Sequence, residues 1–465
     1  MKNKTKAFLL LNEIHNNNIY LYNYLYNNLI MFKRFFYLFY IFISETIKFH
    51  FLNFKNSLYK LPKNERLTLV KSITYKLEDL NIVYVKLFQS LCLEKNILYD
   101  NEKEYLLKYT DNVPYKSEEI DYELLDILES KYNIKLQDGQ PINSGIIGVV
   151  FKGLDSNNND SKVVIKILKN DIEKKLNAVF NEIECLTSIF SYIPFLNNLN
   201  LHKLFLDNKD SLLDQVNFIK EVTNIEIFKF KNQNLVEYKI PYVYKEITNT
   251  YNNVIVMENI KGLTIDTMKD VDSNIKEEFG KLLMKFGFIS ILYNSAVHCD
   301  LHAGNIFFYI NDINSGLPKY QLGLIDFGLC NFPDKNNQYY YYLFFNDFFY
   351  KKDFSNKENF SNVIKNIIHE KEYFDNISFK KKEQLFLEVE KCIKKSLEEE
   401  LDLTFISKIS KIFKTFNLTF SSEFNQISLS LATCQTLGKT LCKSVTNTQY
   451  KCIEELTQIN KLITI

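Results

Sequence analysis

Ala296-Val297-His298-Cys299-Asp300-Leu301-His302-Ala303-Gly304-Asn305, followed after about twenty residues by Ile325-Asp326-Phe327-Gly328, is the stretch that decides how this chain folds. An Asp with an Asn five positions later, then Asp-Phe-Gly, is the spacing by which phosphoryl-transfer sites place a catalytic base and two metal ligands. Asp300 is the candidate base for an attacking hydroxyl. Asn305 and Asp326 offer the hard oxygen donors that Mg²⁺ prefers. His298 is expected to brace the loop through backbone hydrogen bonds, and His302 either to do the same or to contact phosphate. Such a site also needs a phosphate-covering loop, a lysine and a glutamate upstream.

The upstream chain contains candidates for all three. In Pro141-Ile142-Asn143-Ser144-Gly145-Ile146-Ile147-Gly148-Val149-Val150-Phe151 two glycines separate strand-like runs. Such a turn lets backbone N–H groups approach phosphate oxygens. The signal gains weight because the chain has only 12 glycines. Ser144, Gly145, Gly148 and Val150 are the expected nucleotide contacts there. In Val163-Val164-Ile165-Lys166-Ile167-Leu168, alternation puts Lys166 on one strand face with Val164. A lysine in an apolar strand is costly to bury unless paired; an ATP phosphate and a helix glutamate are its natural partners. Glu221 is the preferred glutamate, on a helical face with Asn217 and Asn224; Glu182 and Glu184 are its rivals. Met257-Glu258 ends a strand before a linker, where Glu258 is placed to offer backbone groups to adenine.

A metal reading competes. His-x-Asp also opens a 2-His-1-carboxylate iron site, with His369 as the distant third ligand. That reading leaves Asn305, the Asp-Phe-Gly, Lys166 and the glycine turn unexplained.

At 465 residues the chain requires two or three packed units. Its net charge of +1 creates no field favouring nucleic acid. Its eight cysteines contain no CxxC and read as reduced intracellular thiols. Residues 1–55 are basic, acid-poor and apolar, which suits an organelle-targeting or membrane-surface leader. Residues 56–130 read as helical. Residues 131–260 carry β-branched runs at 146–151, 163–167, 242–244 and 254–257 around a helix near 205–230, and residues 261–465 are mainly helical. The Asn-rich stretches near 156–160, 248–253 and 335–337 read as loops.

With these residues in place, roughly residues 56–445 resemble the UbiB family of atypical protein-kinase-like proteins. Val85-Lys86-Leu87-Phe88-Gln89 stands at the family's Lys-x-Gly-Gln motif, Gln215-Val216-Asn217 with Glu221 at its Glu-x-Asp motif, and Asn143 to Phe151 at its alanine-rich nucleotide loop. The His-x-Asp-x-His-x-Gly-Asn and Asp-Phe-Gly motifs are intact. The resemblance implies an α+β, bilobal, kinase-like fold: a leader (1–55), a family-specific helical extension (56–130), an N-lobe (131–260) and a mostly helical C-lobe (261–465). It implies ATP and Mg²⁺ as cofactors and catalytic roles for Asp300, Lys166 and Glu221. Lys86, Gln89, Gln215 and Asn217 fall at positions that restrain phosphorylation in the family. Phe88 replaces the motif glycine, Gln215 and Asn217 replace carboxylates, and Gly145 replaces an alanine, so those restraints are expected to be altered. Mg-ATP-dependent phosphoryl transfer or ATP hydrolysis at an organellar membrane is implied, in support of ubiquinone or isoprenoid-lipid metabolism. Membrane lipid or quinone-pathway proteins are the implied partners, and the mitochondrial inner membrane, or a plastid, the implied place. A small-molecule kinase of the aminoglycoside or choline type, which uses the same His-x-Asp-Leu-His-x-Gly-Asn, stays open as an alternative, as does a nucleotide-binding scaffold without catalysis.

Overall fold

The computed structural model describes residues 33–34, 36–60, 65–85, 88, 101–102, 105–106, 113–191, 209, 213–395 and 403–442. A helix over 36–58 precedes α1 (Arg66–Leu80) and α2 (Tyr122–Tyr132). Strands β1 (Ile134–Leu136), β2 (Asn143–Ser144), β3 (Gly148–Asp155) and β4 (Ser161–Leu168) lead to helices α3 (Ile172–Ser191) and α4 (Phe218–Lys231). Next come β5 (Tyr238–Lys239), α5 (Lys245–Thr250), β6 (Val254–Glu258) and the long α6 (Ser273–Leu292). Strands β7 (Val297–His298), β8 (Ile306–Ile310), β9 (Tyr320–Leu324) and β10 (Cys330–Asn331) precede α7 (Lys335–Tyr342), which runs into a π-helical stretch, Leu343–Tyr350. Helices α8 (Lys357–Ile367), α9 (Lys371–Asn376), α10 (Phe379–Lys395), α11 (Leu403–Thr415) and α12 (Ser422–Leu441) follow. The fold is α+β: one sheet has the order β1-β3-β4-β6 with β2 also on β3, and two smaller sheets are β5-β9-β8 and β10-β7.

The chain divides into two compact units. One comprises Met1–Ile127, Asp138–Phe151 and Ile167–Leu213; the other Leu128–Gln137, Lys152–Lys166 and Asp214–Ile465. In the first, α1 turns Val70, Ile73 and Leu77 inward. The helix over 36–58 buries Ile41 yet departs from an ordinary surface helix in two ways. It buries Glu45, which pairs with Lys76 at 2.6 Å and accepts from the Ser72 hydroxyl, while Phe36, Phe51 and Phe54 stand exposed. The glycine turn also lies in this unit: β2 pairs with β3 at Asn143↔Val150 and Ser144↔Val149, and the Gly145 N–H donates to Gly148 O at 2.9 Å. A side chain at 148 would stand 2.6 Å from the Ile167 carbonyl oxygen, so only glycine admits this approach.

In the second unit, β1 pairs antiparallel with β3 from Ile134↔Asp155 to Leu136↔Gly153. β4 alternates as its sequence predicts, with Val163 and Ile165 buried and Val164 and Lys166 half-buried. α6 and α12 cross closely because a side chain at Gly438 would meet Met284 and the Gly280 carbonyl. Three sequence expectations differ from the structure. Residues 248–250, read as part of a loop, are the end of α5. Tyr242–Tyr244 forms no strand, only a bridge from Val243 to Met257, because α5 begins at Lys245. Residues 335–337 are the first turn of α7 rather than a loop, because Asp334 Oδ1 caps it by accepting from the Asn337 N–H at 2.8 Å.

Candidate active site

Lys166 reaches the site because β4 alternation sends it to the half-buried face, where its side chain is 17% exposed. Its Nζ lies 2.9 Å from both Oε1 and Oε2 of Glu221 and 3.4 Å from Oδ2 of Asp326. The ammonium also sits 5.3 Å from the centre of the Phe218 ring. Glu221 is 1% exposed on α4, whose N-cap is Asn217, with Oδ1 accepting from the Lys220 N–H at 3.0 Å. Three residues on, Asn224 Nδ2 donates to Phe327 O at 2.8 Å, so this one helix holds both the lysine and the Asp-Phe-Gly backbone. Asp326 itself adopts φ 59°, a left-handed conformation uncommon for a residue with a side chain.

Electrostatics binds the three charges together. Burial opposes a charged Lys166, but Asp326 and Glu221 outweigh it and raise its pKa well above the ordinary lysine value. Burial pushes the Glu221 carboxyl up to about 7, with Lys166 opposing and Asp326 adding its like charge. For Asp326, burial pulls upward, yet the Lys166 charge prevails and keeps its carboxyl below the usual value.

The catalytic loop is stitched to the Asp-Phe-Gly segment by backbone. β7 pairs with β10 at Cys330↔His298, the Cys299 N–H donates to Leu329 O at 2.9 Å, and the Ile325 N–H donates to Asn305 O at 3.1 Å. His298 is fully buried, and its Nε2 lies 3.0 Å from Ile325 O. A carbonyl only accepts, so Nε2 carries the proton. The ring packs on Phe327 and Phe228, with centroids 5.1 and 6.4 Å away. Ser430 Oγ, from α12, donates to the His298 carbonyl at 2.7 Å. His302 braces the loop by accepting the Gly304 N–H at Nδ1, 3.1 Å away. Asp300 is exposed.

Asn305 is buried, and its Nδ2 donates to Asp300 O at 2.8 Å. That bond orients the amide, because its nitrogen end is spent on the carbonyl and its oxygen end is turned elsewhere. The donor set therefore suits Mg²⁺: an amide oxygen from Asn305 and a carboxylate from Asp326, with phosphate and water oxygens to complete the shell. Among the described residues no group of three or more His, Cys, Asp or Glu is arranged to hold a metal, which leaves the iron reading with His369 without a ligand set.

Several sequence expectations find other surroundings. The rival glutamates lie in the first unit with partners of their own: Glu182 with Arg34 at 2.7 Å and the Tyr84 hydroxyl, Glu184 with Lys209 at 2.5 Å. Glu258 is ion-paired to Lys239 at 2.7 Å, and its N–H donates to Tyr242 O at 2.8 Å. Ser144 and Gly148 are buried in the turn of the first unit, Gly145 and Val150 half-buried. Val164 shares the Lys166 face of β4, and Gln215 is half-buried just ahead of α4. Lys86 and Gln89 lie outside the described residues; Phe88, between them, packs against Val70 and Leu106. Asn224, Phe218 and Ser430 are positioning residues that the sequence reading did not assign. Asn224 had a signal in its spacing from Glu221; Ser430, from a distant helix, had none.

Residues 111–361 match the ABC1 atypical kinase-like domain. An Arabidopsis thaliana protein, described as an uncharacterised aarF domain-containing protein kinase, At5g05200, chloroplastic, is 28% identical over 282 residues, 58% of this chain and 50% of that one. Proteins described as probable protein kinase UbiB are 25% identical in Tolumonas auensis (50% of this chain, 44% of that one) and 27% identical in Actinobacillus pleuropneumoniae (56% and 49%). The chain thus spans about half the length of the curated relatives it matches. A solved chain titled the complex structure of Rv3197-erythromycin from Mycobacterium tuberculosis is 15% identical with a TM-score of 0.42, covering 76% of this chain and 86% of its own. Among the described residues, no helix is long and apolar enough to cross a membrane.

Proposed function

Because this chain belongs to the family of the ABC1 atypical kinase-like domain, we propose that it binds Mg-ATP and either transfers the γ-phosphoryl group or hydrolyses it. One observation carries the reading: Lys166, Glu221 and Asp326 converge on one point, with Nζ 2.9 Å from Glu221 and 3.4 Å from Asp326. Lys166 grips the phosphates, and Glu221 holds its ammonium in place. Asp300, exposed beside the braced loop, orients the attacking hydroxyl or water and accepts its proton. Asn305 and Asp326 would hold Mg²⁺, which neutralises charge on the phosphate oxygens. The accessible Asp300 favours an active enzyme over a non-catalytic scaffold.

The proposed place of action is an organellar membrane, in support of ubiquinone or isoprenoid-lipid metabolism. Names of relatives support this, one chloroplastic and several UbiB. So does the apolar outer face of the helix over 36–58, which suits the surface of a bilayer. The test is ATP turnover with and without anionic vesicles for wild type, Asp300→Asn and Asp326→Asn, with Mg-ATP binding followed by thermal shift. Wild type turns over and both variants lose at least about 10²-fold; equal turnover in all three removes the enzymatic reading. A panel of soluble alcohols separates a small-molecule kinase from the membrane-associated enzyme.

A further inference from the structure

The first unit contains a cavity of about 620 Å³, within the range of about 300–1,000 Å³ usual for small-ligand sites. Arg34, Lys116, Lys169, Lys174 and Lys175 line it. Glu78, Asp79 and Glu119 are its acidic residues; Arg34 is paired to Glu182 at 2.7 Å and Lys174 to Asp171 at 2.6 Å, so Lys169 and Lys175 are left to share the Glu119 carboxylate. The deepest of these cations is poorly satisfied. Lys169 has a side chain only 3% exposed, and the nearest carboxylate oxygen, Glu119 Oε2, is 3.8 Å away, too far for a hydrogen bond. Glu119 is already engaged: Oε1 lies 2.8 Å from Lys175 Nζ, and Oε2 accepts the Lys116 N–H at 3.3 Å. A buried ammonium without a hydrogen-bonded partner is costly to maintain. Burial accordingly lowers the Lys169 pKa, against the pull of Glu119.

We infer that this cavity is an anion site, separate from the candidate active site, that takes the phosphate or pyrophosphate group of a small molecule or lipid. Lysine ammoniums bind phosphate as point charges, and a phosphate oxygen would give Lys169 the acceptor that Glu119 does not reach. The site is tied to the glycine turn, because the Lys169 backbone N–H donates to Ile147 O at 2.9 Å, between Gly145 and Gly148. Arg34 lies at the start of the apolar-faced helix over 36–58, so a lipid whose head fills the cavity has an apolar surface for its tail in the same unit.

The experiment is calorimetric titration of the full chain with inorganic pyrophosphate in the absence of Mg²⁺, using wild type, Lys169→Met and Lys175→Gln. Wild type binds, and Lys169→Met and Lys175→Gln each weaken binding tenfold or more. Lys169→Met removes a desolvated charge, so it keeps the wild-type melting temperature; should it fail to fold, the more exposed Lys175→Gln carries the test. Binding that survives both cavity variants, or no heat at millimolar pyrophosphate, overturns the assignment. Flotation with phosphatidic acid vesicles, against phosphatidylcholine vesicles, identifies the source. Vesicle binding that pyrophosphate displaces and Lys169→Met abolishes marks a lipid headgroup, and pyrophosphate binding without it marks a soluble phosphate. ATP turnover enters neither measurement, so failure here leaves the proposed function standing.

Discussion

Lys166 and Glu221, 55 residues apart in the chain, meet with Nζ 2.9 Å from both carboxylate oxygens, the lysine from a strand and the glutamate from the first turn of a helix. A fork of two equal contacts fixes the ammonium in one position, where it can serve a phosphate without reorganising.

Breaking that pair separates stability from catalysis. Lys166→Met leaves Glu221 buried without its counter-ion and is expected to cost about 3–5 kcal/mol. The double variant Lys166→Met/Glu221→Gln has no buried charge to compensate and recovers most of that loss, while ATP turnover stays down by about 10²-fold or more. Thermal unfolding and turnover across the four proteins of the cycle measure both, and additive stability losses would contradict the pairing.

The glycine turn discriminates between its two glycines. A Cβ at 148 would stand 2.6 Å from a backbone carbonyl oxygen that cannot move aside, whereas one at 145 meets its nearest atom, Gly148 O, at 3.7 Å. Gly148→Ala is expected to lose about 1–3 kcal/mol. Gly145→Ala is expected to stay within about 0.5 kcal/mol of wild type. Melting temperatures of the two variants decide.

Ser430→Ala tests a support outside both motifs. It leaves the buried His298 carbonyl without its 2.7 Å donor, an expected cost of about 1–3 kcal/mol. Because the strand leading to Asp300 shifts, turnover falls while the apparent affinity for Mg-ATP is kept. Ser430→Thr, which retains a hydroxyl, rescues part of the activity; a variant indistinguishable from wild type in both readouts removes the role.

Lys352 gives a pH signature. Burial lowers its pKa from 10.5 to about 8, although it donates to Ile393 O at 2.9 Å. Between about pH 8 and 10 the unfolded chain binds more protons at this site than the folded one, so stability rises with pH across that window. Below it, the lysine opposes folding. Lys352→Met therefore raises the melting temperature at pH 7 and flattens the rise between pH 8 and 10. Both residues have the same left-handed backbone to occupy, φ 57°, so the comparison isolates the charge. An unchanged melting temperature at pH 7 would show that the charge is not desolvated.

Cys299 sits inside the catalytic motif, yet its thiol is pushed up to about 12 by burial and by the neighbouring Asp300 charge. Thiolates are the reactive species, so Cys299 in the folded protein resists iodoacetamide at pH 8 and reacts only on unfolding. Mass spectrometry of labelled peptides checks this, and rapid native labelling of Cys299 would show that its thiol is not held in the unreactive form.

Short-range spacing was legible without a structure wherever one loop does the work. Asp300 and Asn305 are five residues apart, and the turn between them is closed by His302 accepting from Gly304 and by Asn305 donating to Asp300 O. The half-buried face of Lys166 also follows from strand alternation alone. The first turn of α7 was misread because its Asn-rich composition resembles a loop, while the decisive cue was one capping carboxylate, Asp334.

The sequence by itself thus determined the class of this protein: two motifs at kinase-like spacing, a lysine in an apolar strand and a family resemblance to the UbiB proteins. Only the tertiary structure decided which of three glutamates faces Lys166. It also gave Asn217 the work of a helix cap, spent the Glu258 N–H on the Tyr242 carbonyl, and brought Ser430 to the His298 carbonyl. The physical reason is one of range. Residues a few positions apart are held together by covalent geometry, which the sequence states directly. Partners separated by tens of residues meet only when helices and strands pack, and packing energy is summed over many apolar contacts that no short motif records.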